Sequence, residues 1–203
     1  MDHKVSLDTL IELMLGISLS AAVGFRVFAP LLVLSTAAVV GHLDLPTDLD
    51  WAETPQALAV FAAASLLEVG GYYIPWFDHL LDIVSTPAAI LAGTIVTASF
   101  APEMNPVVQW TLALVAGGGT AGVTKGVMNL LRGTSTAASG GLTNPILATI
   151  ELLIATGLSV LAVSVPLVAG VVVLSILVIA IQRLSKFVIH RRARQNSSNA
   201  VEQ

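Results

Sequence analysis

From Leu152 to Gln182 thirty-one consecutive residues carry no charge. As one helix this run would be about 46 Å long at ~1.5 Å per residue, against a hydrocarbon core of about 30 Å. It is too apolar for a water-facing helix and too long for one comfortable crossing. It divides near Ser164-Val-Pro166, because proline cannot continue a helix. The rest of the chain has the same character: hydrophobic residues make up 55% and charged residues 11%, with mean hydropathy +0.86. Soluble domains carry about 25% charged residues, so this is an integral membrane protein.

With 203 residues the chain holds about six spans of ~20 residues and no separate soluble domain. The first apolar region, Leu7 to Val40, is too long for one straight span, and Gly24 and Pro30 flank its natural break at Arg26. An acidic loop follows, with Asp44, Asp48, Asp50 and Glu53. The second span is Gln56 to Ile74. A short amphipathic segment, Pro75 to Ser85, precedes a third span from Pro87 to Phe100. The fourth runs from Val107 to Leu131. After it, the loop Arg132 to Pro145 is small and apolar enough to dip back into the membrane. The fifth and sixth spans are Ile146 to Val163 and Leu167 to about Ile189, and a polar tail, 191–203, is expected to be disordered.

The N-terminus makes a poor signal peptide, since Asp8 and Glu12 interrupt what should be an apolar core. Six spans with both termini inside give the cytoplasmic side Lys4, Arg132, Arg183, Lys186, Arg191, Arg192 and Arg194. The opposite side receives the acidic loop and Glu103. A bacterial inner membrane with both ends cytoplasmic is the expected location.

Residues 1–103 and 104–190 read as two three-span copies. Placing Arg26 on Lys125 brings Ser35-Thr-Ala-Ala38 within one residue of Ser135-Thr-Ala-Ala138. Each copy then has a glutamate in its second span, Glu68 and Glu151, and a proline opening its third, Pro87 and Pro166, with the acidic loop lengthening the first copy. An odd number of spans per copy makes the repeat inverted, a plan that recurs with broken or re-entrant helices in secondary transporters.

The candidate site follows from charges placed in apolar sequence. Arg26 and Lys125 are lone cations among glycines, where a charge faces a cavity or a partner. They are expected to bind an anionic solute or lipid head group, joined by Gly24, Gly122 and Asn129. Glu68 and Glu151 are candidate counter-ions or proton carriers, because burial lets a carboxyl titrate during a transport cycle. Structural alternatives are an Arg26–Glu68 ion pair and a Lys125 that snorkels to the cytoplasmic face. Asp78 and Asp82 share one helical face beside His79, a weak pattern for a divalent cation. The absence of cysteine excludes disulfides, thiolate metal sites and a cysteine nucleophile.

No hydrolase, zincin or phosphate-loop motif is present. No cofactor and no nucleic-acid partner are expected, and small-residue helix faces allow a homodimer. The expectation is a permease for a small anionic solute, with proton coupling as one option. Alternatives are translocation of a phosphate-bearing lipid, or a scaffold or lipid-modifying enzyme in which the charges pair only with each other.

Three stretches carry a family resemblance. They are Gly24-Phe-Arg26-x-x-x-Pro30, Ile74-Pro-Trp-Phe-Asp78-x-x-x-Asp82 with Pro87, and Lys125-Gly-Val-Met-Asn-Leu-Leu-Arg132. From about Leu13 to Leu161 the chain resembles a bacterial membrane-protein family known as a domain of unknown function. It differs from that pattern in having no charged residue just before Ile74. The resemblance implies a small multi-span inner-membrane protein and supplies no activity, substrate or site.

Overall fold

The computed structural model describes residues 7–74, 77–101 and 105–201, with side chains as far as Arg183. Its helices are α1 (Leu7–Phe25), α2 (Phe28–Val39), α3 (Pro55–Gly71), α4 (Phe77–Ser99), α5 (Pro106–Leu112), α6 (Gly119–Ser139), α7 (Asn144–Ser164) and α8 (Pro166–Val201). A 3-10 helix, Thr47–Glu53, lies between α2 and α3, and a π-helical segment, Ala113–Gly118, joins α5 to α6. Five helices are long and apolar enough to cross a membrane: α1, α4, the unbroken Pro106–Ser139, α7 and α8 to Arg183. α2 and α3 are shorter apolar helices. The protein is an all-α, multi-pass membrane protein.

Local sequence sets most of the boundaries. Pro30 sits in the first turn of α2, where its ring would clash with the carbonyl of Arg26 if the helix ran straight on. The chain therefore breaks at Arg26 and Val27. Thr54 caps α3 by accepting from the Ala57 N–H at 3.1 Å, and Pro55 takes the first helical position. Asn105 caps α5 in the same way, through the Val107 N–H at 3.0 Å. α6 ends on Gly140, at φ 64°, whose N–H bonds to the Thr136 carbonyl at 2.8 Å.

α1 is the central helix, and every residue from Leu15 to Gly24 is buried. A helix enclosed all round packs on several neighbours, and α1 touches α4, α6, α7 and α8. α2 doubles back along it: Leu34 and Ala38 share a core cluster with Leu15 and Leu19. α8 runs parallel to α1, with Gly170 against Met14, Val173 against Ile17 and Ala21, and Ile176 lining one cavity with Phe25. Close approach at the centre needs glycine. A Cβ on Gly24 would stand 2.5 Å from the Thr124 Cβ and 2.6 Å from the Ala121 carbonyl oxygen. Large apolar side chains such as Leu66, Leu67, Val107 and Val171 point outward, as they do towards lipid.

Several expectations change. The amphipathic segment and the third span are one helix, α4, and Pro87 lies inside it rather than opening it. The loop after Leu131 is helical to Ser139, so only a short turn separates α6 from α7. The two proposed copies are interrupted differently: the chain reverses between α1 and α2, whereas a π-helical turn carries α5 on into α6. Because α1 and α8 are parallel, the start of α1 and the far end of α8 lie at opposite ends of the bundle. The helical backbone of α8 continues to Val201 through the tail expected to be disordered. Lys4, Glu103 and the side chains of Lys186, Arg191, Arg192 and Arg194 lie outside the described residues.

Candidate functional site

Three helices each present a row of residues at i, i+4 and i+7, and the rows converge at one end of the bundle. α4 contributes Asp78, Asp82 and Ser85; α6 contributes Lys125, Asn129 and Arg132; α7 contributes Asn144, Ala148 and Glu151. The α1–α2 break adds Arg26, and the end of α3 adds Glu68 and Tyr72. All but Asp82 and Asn129 are buried.

Tyr72 is the hub. The Arg26 guanidinium carbon lies 3.8 Å from its ring centroid, that of Arg132 lies 4.3 Å away, and the Lys125 ammonium nitrogen 5.5 Å. Its hydroxyl donates to Asp82 Oδ1 at 3.0 Å and accepts from Lys125 Nζ at 3.1 Å. Lys125 also donates to Asp82 Oδ1 at 2.9 Å. It is buried, so it does not snorkel to a membrane face.

Arg132 and Glu151 form a two-pronged ion pair, Nε to Oε1 at 3.0 Å and Nη2 to Oε2. Such fork-on-fork geometry is the strongest common arrangement for these groups. Arg132 also stands 3.8 Å from Asp78 Oδ2 through Nη1, and 3.8 Å from Asp82 Oδ2 through Nε. Asn144 donates to Asp78 Oδ2 at 2.9 Å.

Arg26 does not pair with Glu68. Its Nη2 donates to the Ala148 carbonyl at 2.9 Å and lies 3.5 Å from Glu151 Oε2. Glu68 instead caps α2, accepting from the Val27 N–H at 2.9 Å and the Phe28 N–H at 3.0 Å. A carboxylate there suits the free N–H groups and positive dipole end of a helix. Among the described residues, Arg26 Nε and Nη1, Arg132 Nη1 and Asn129 Oδ1 have no hydrogen-bond partner. Fully ionised, the four carboxylates Glu68, Asp78, Asp82 and Glu151 outnumber the three cations by one.

A cavity of about 430 Å³ opens beside this cluster, lined by Asp78, His79, Asp82, Ile83, Thr86, Asn129, Arg132, Gly133, Thr136 and Asn144. It reaches Arg132, and Arg26 is not among its lining residues. An apolar groove of about 730 Å³ flanks it between α3 and α4, with Glu68, Tyr72 and Ser85 among its walls. A third cavity, of about 880 Å³, lies at the other end of the bundle and includes Glu12, His42, Asp44, Asp48 and Gln109.

The predicted residues Arg26, Lys125, Glu68, Glu151, Asp78 and Asp82 are thus brought into one cluster, with Asn129 at its edge. Gly24 packs on Thr124, and Gly122 faces Ile90; neither lines the polar cavity. Asp78 and Asp82 are engaged by Asn144, Tyr72 and the cations, and among the described residues no group of three His, Asp or Glu side chains is placed to hold a metal ion. Sequence reasoning missed Tyr72 and Asn144, and read Arg132 as a membrane-edge anchor. The signal for Arg132 was its spacing: seven residues after Lys125 is two helical turns on the same face.

No curated protein and no solved structure matches this chain. Residues 13–186 match the family described as a domain of unknown function, DUF4126, and the chain belongs to that family.

Proposed function

We propose that the protein is a permease for a small solute bearing an anionic group, with the cavity over Arg132 as one mouth of its path. The observation behind this reading is that cavity: most of its lining residues are polar or charged, it is of small-molecule size, and it ends on a buried arginine whose Nη1 has no hydrogen-bond partner among the described residues. Buried charges within a membrane protein commonly mark a substrate or proton path.

The cluster's carboxylate excess supports coupling to a proton. An anion cannot join a site where every cation already faces a carboxylate unless one carboxylate is neutralised. Neutralising a carboxylate beside Arg132 in this reading frees it for the solute, and restoring the charge expels it. In this reading the two halves, 1–103 and 104–190, each supply cations and carboxylates, and α2 acts as a re-entrant helix beside the path. The cavity mouth faces the cytoplasm of a bacterial inner membrane, because Arg132 and Arg183 lie towards that end while the acidic loop lies at the other.

The groove between α3 and α4 favours one second reading, the translocation of a phosphate-bearing lipid. Its apolar walls suit an acyl chain, while Tyr72 and Ser85 lead towards the cations.

The test is reconstitution of the full chain in liposomes with a panel of labelled small anions, and separately with fluorescent phospholipids. Wild type is expected to move at least one solute under an inward proton gradient, with Arg26→Ala and Arg132→Ala losing it. If neither flux nor lipid scrambling depends on the protein, the permease and lipid readings both fail.

A further inference from the structure

We propose that the Arg132 cavity takes a small zwitterion, carrying one carboxylate and one ammonium, rather than a simple anion. This deepens the permease reading and rests on it for the identity of the solute site. The argument starts from the weakest link in the cluster. Arg132 Nε and Nη2 are tied to Glu151, but among the described residues Nη1 has no hydrogen bond, and its nearest carboxylate oxygen, Asp78 Oδ2, is 3.8 Å away. That pair is loose, and both members line the cavity.

A ligand that reaches Arg132 does so by parting it from Asp78. A plain anion would satisfy Nη1 and leave the buried Asp78 carboxylate held by Asn144 alone. A plain cation would satisfy Asp78 and leave Nη1 as it is. The anion thus strands a buried carboxylate, which is strongly unfavourable, and the cation leaves a buried guanidinium donor unsatisfied. A zwitterion exchanges partners with both: its carboxylate takes Nη1 and its ammonium takes Asp78, so the cluster's total charge is unchanged.

Asn129 supplies the next observation. One helical turn before Arg132, it lines the same cavity, and among the described residues its Oδ1 accepts no hydrogen bond while its Nδ2 donates to Thr86 at 3.1 Å. An ammonium has three donors, and an unpaired carbonyl oxygen on a residue that lines the same cavity as Asp78 suits the second of them. The charged and titratable groups around Arg132 and Asp78 are Tyr72 from the end of α3, His79 and Asp82 from α4, Glu151 from α7, and Arg26 beyond Glu151.

The experiment measures equilibrium binding of alanine, propionate and ethylamine to the full chain in lipid nanodiscs. Propionate is alanine without its ammonium, and ethylamine is alanine without its carboxylate. Alanine is expected to bind at least about tenfold more tightly than either. Asp78→Asn is expected to lower alanine affinity and raise that of propionate, since the carboxylate that a plain anion strands is then gone. The proposal is overturned if propionate or ethylamine matches alanine, if none of the three binds, or if Asp78→Asn leaves the order unchanged. Alanine binding without uptake into liposomes removes the permease reading and keeps the zwitterion site. Uptake of propionate without alanine binding does the reverse.

Discussion

Arg26, at the end of α1, and Glu151, on α7, stand 3.5 Å apart from Nη2 to Oε2, and the same Glu151 oxygen binds Arg132. One carboxylate therefore bridges two buried guanidiniums, contributed by opposite halves of the chain. Removing a single member of a buried ionic group leaves the others uncompensated. Glu151→Gln is expected to destabilise the protein by about 3–5 kcal/mol, the usual cost of breaking such a pair. Reversible unfolding in mixed micelles measures it. A loss below about 1 kcal/mol, the level of an exposed pair, would show that the bridge is not held in a dry interior.

Glu68 has a different task, and its variants should separate accordingly. Glu68→Ala orphans the Val27 and Phe28 N–H groups, at about 1–3 kcal/mol for each buried donor. Glu68→Gln keeps one carbonyl acceptor and should lose roughly half as much. Equal losses in the two variants would mean that charge, not capping, is what α2 requires.

The Tyr72 ring and its hydroxyl can be tested apart. Tyr72→Phe keeps the surface that Arg26 and Arg132 stack on, and should cost about 1 kcal/mol for the lost hydrogen bonds. Tyr72→Leu removes the ring as well, and desolvated cation–π contacts are worth about 2 kcal/mol or more. Thermal unfolding of the two variants side by side checks the order. If Tyr72→Leu is no worse than Tyr72→Phe, the stacking contributes nothing.

Gly24 should tolerate no side chain. Gly24→Ala forces α1 away from Thr124 and the Ala121 carbonyl, at a cost of about 1–3 kcal/mol for overpacking. Gly126, whose added Cβ would meet nothing within 4 Å, is the control. Unfolding of both alanine variants decides the point, and equal stability would mean that the helices can spread without penalty.

The broad fold was legible in the sequence because it depends on local rules. Apolar length gives the helices, and Pro30 breaks the first at Arg26 through a clash with one carbonyl. The apolar surroundings of Lys125 leave open whether it is buried or snorkels, and the structure buries it. Partner choice was not legible. Glu68 looked like the mate of Arg26 because both are charges in apolar sequence. Which carboxylate meets which cation depends instead on how α3 and α7 are rotated about their axes. Arg132 was obscured by its neighbourhood of small polar residues, which reads as a loop yet is helical. Pro87 misled for a related reason: a proline can sit within a helix whose neighbours re-satisfy the freed carbonyl, and α4 runs through it unbroken.

The widened turn at Ala113–Gly118 has a consequence for how this protein can change. A π turn holds about one residue more than an α turn, and one residue corresponds to roughly 100° of helical rotation. Lys125, Asn129 and Arg132 lie beyond that turn on a single rigid helix, so their heading is set by a residue count made upstream of them. A one-codon deletion there would swing all three towards the lipid at once while changing none of their identities. Point substitutions can adjust this row piece by piece; a length change in the wide turn redirects it as a unit.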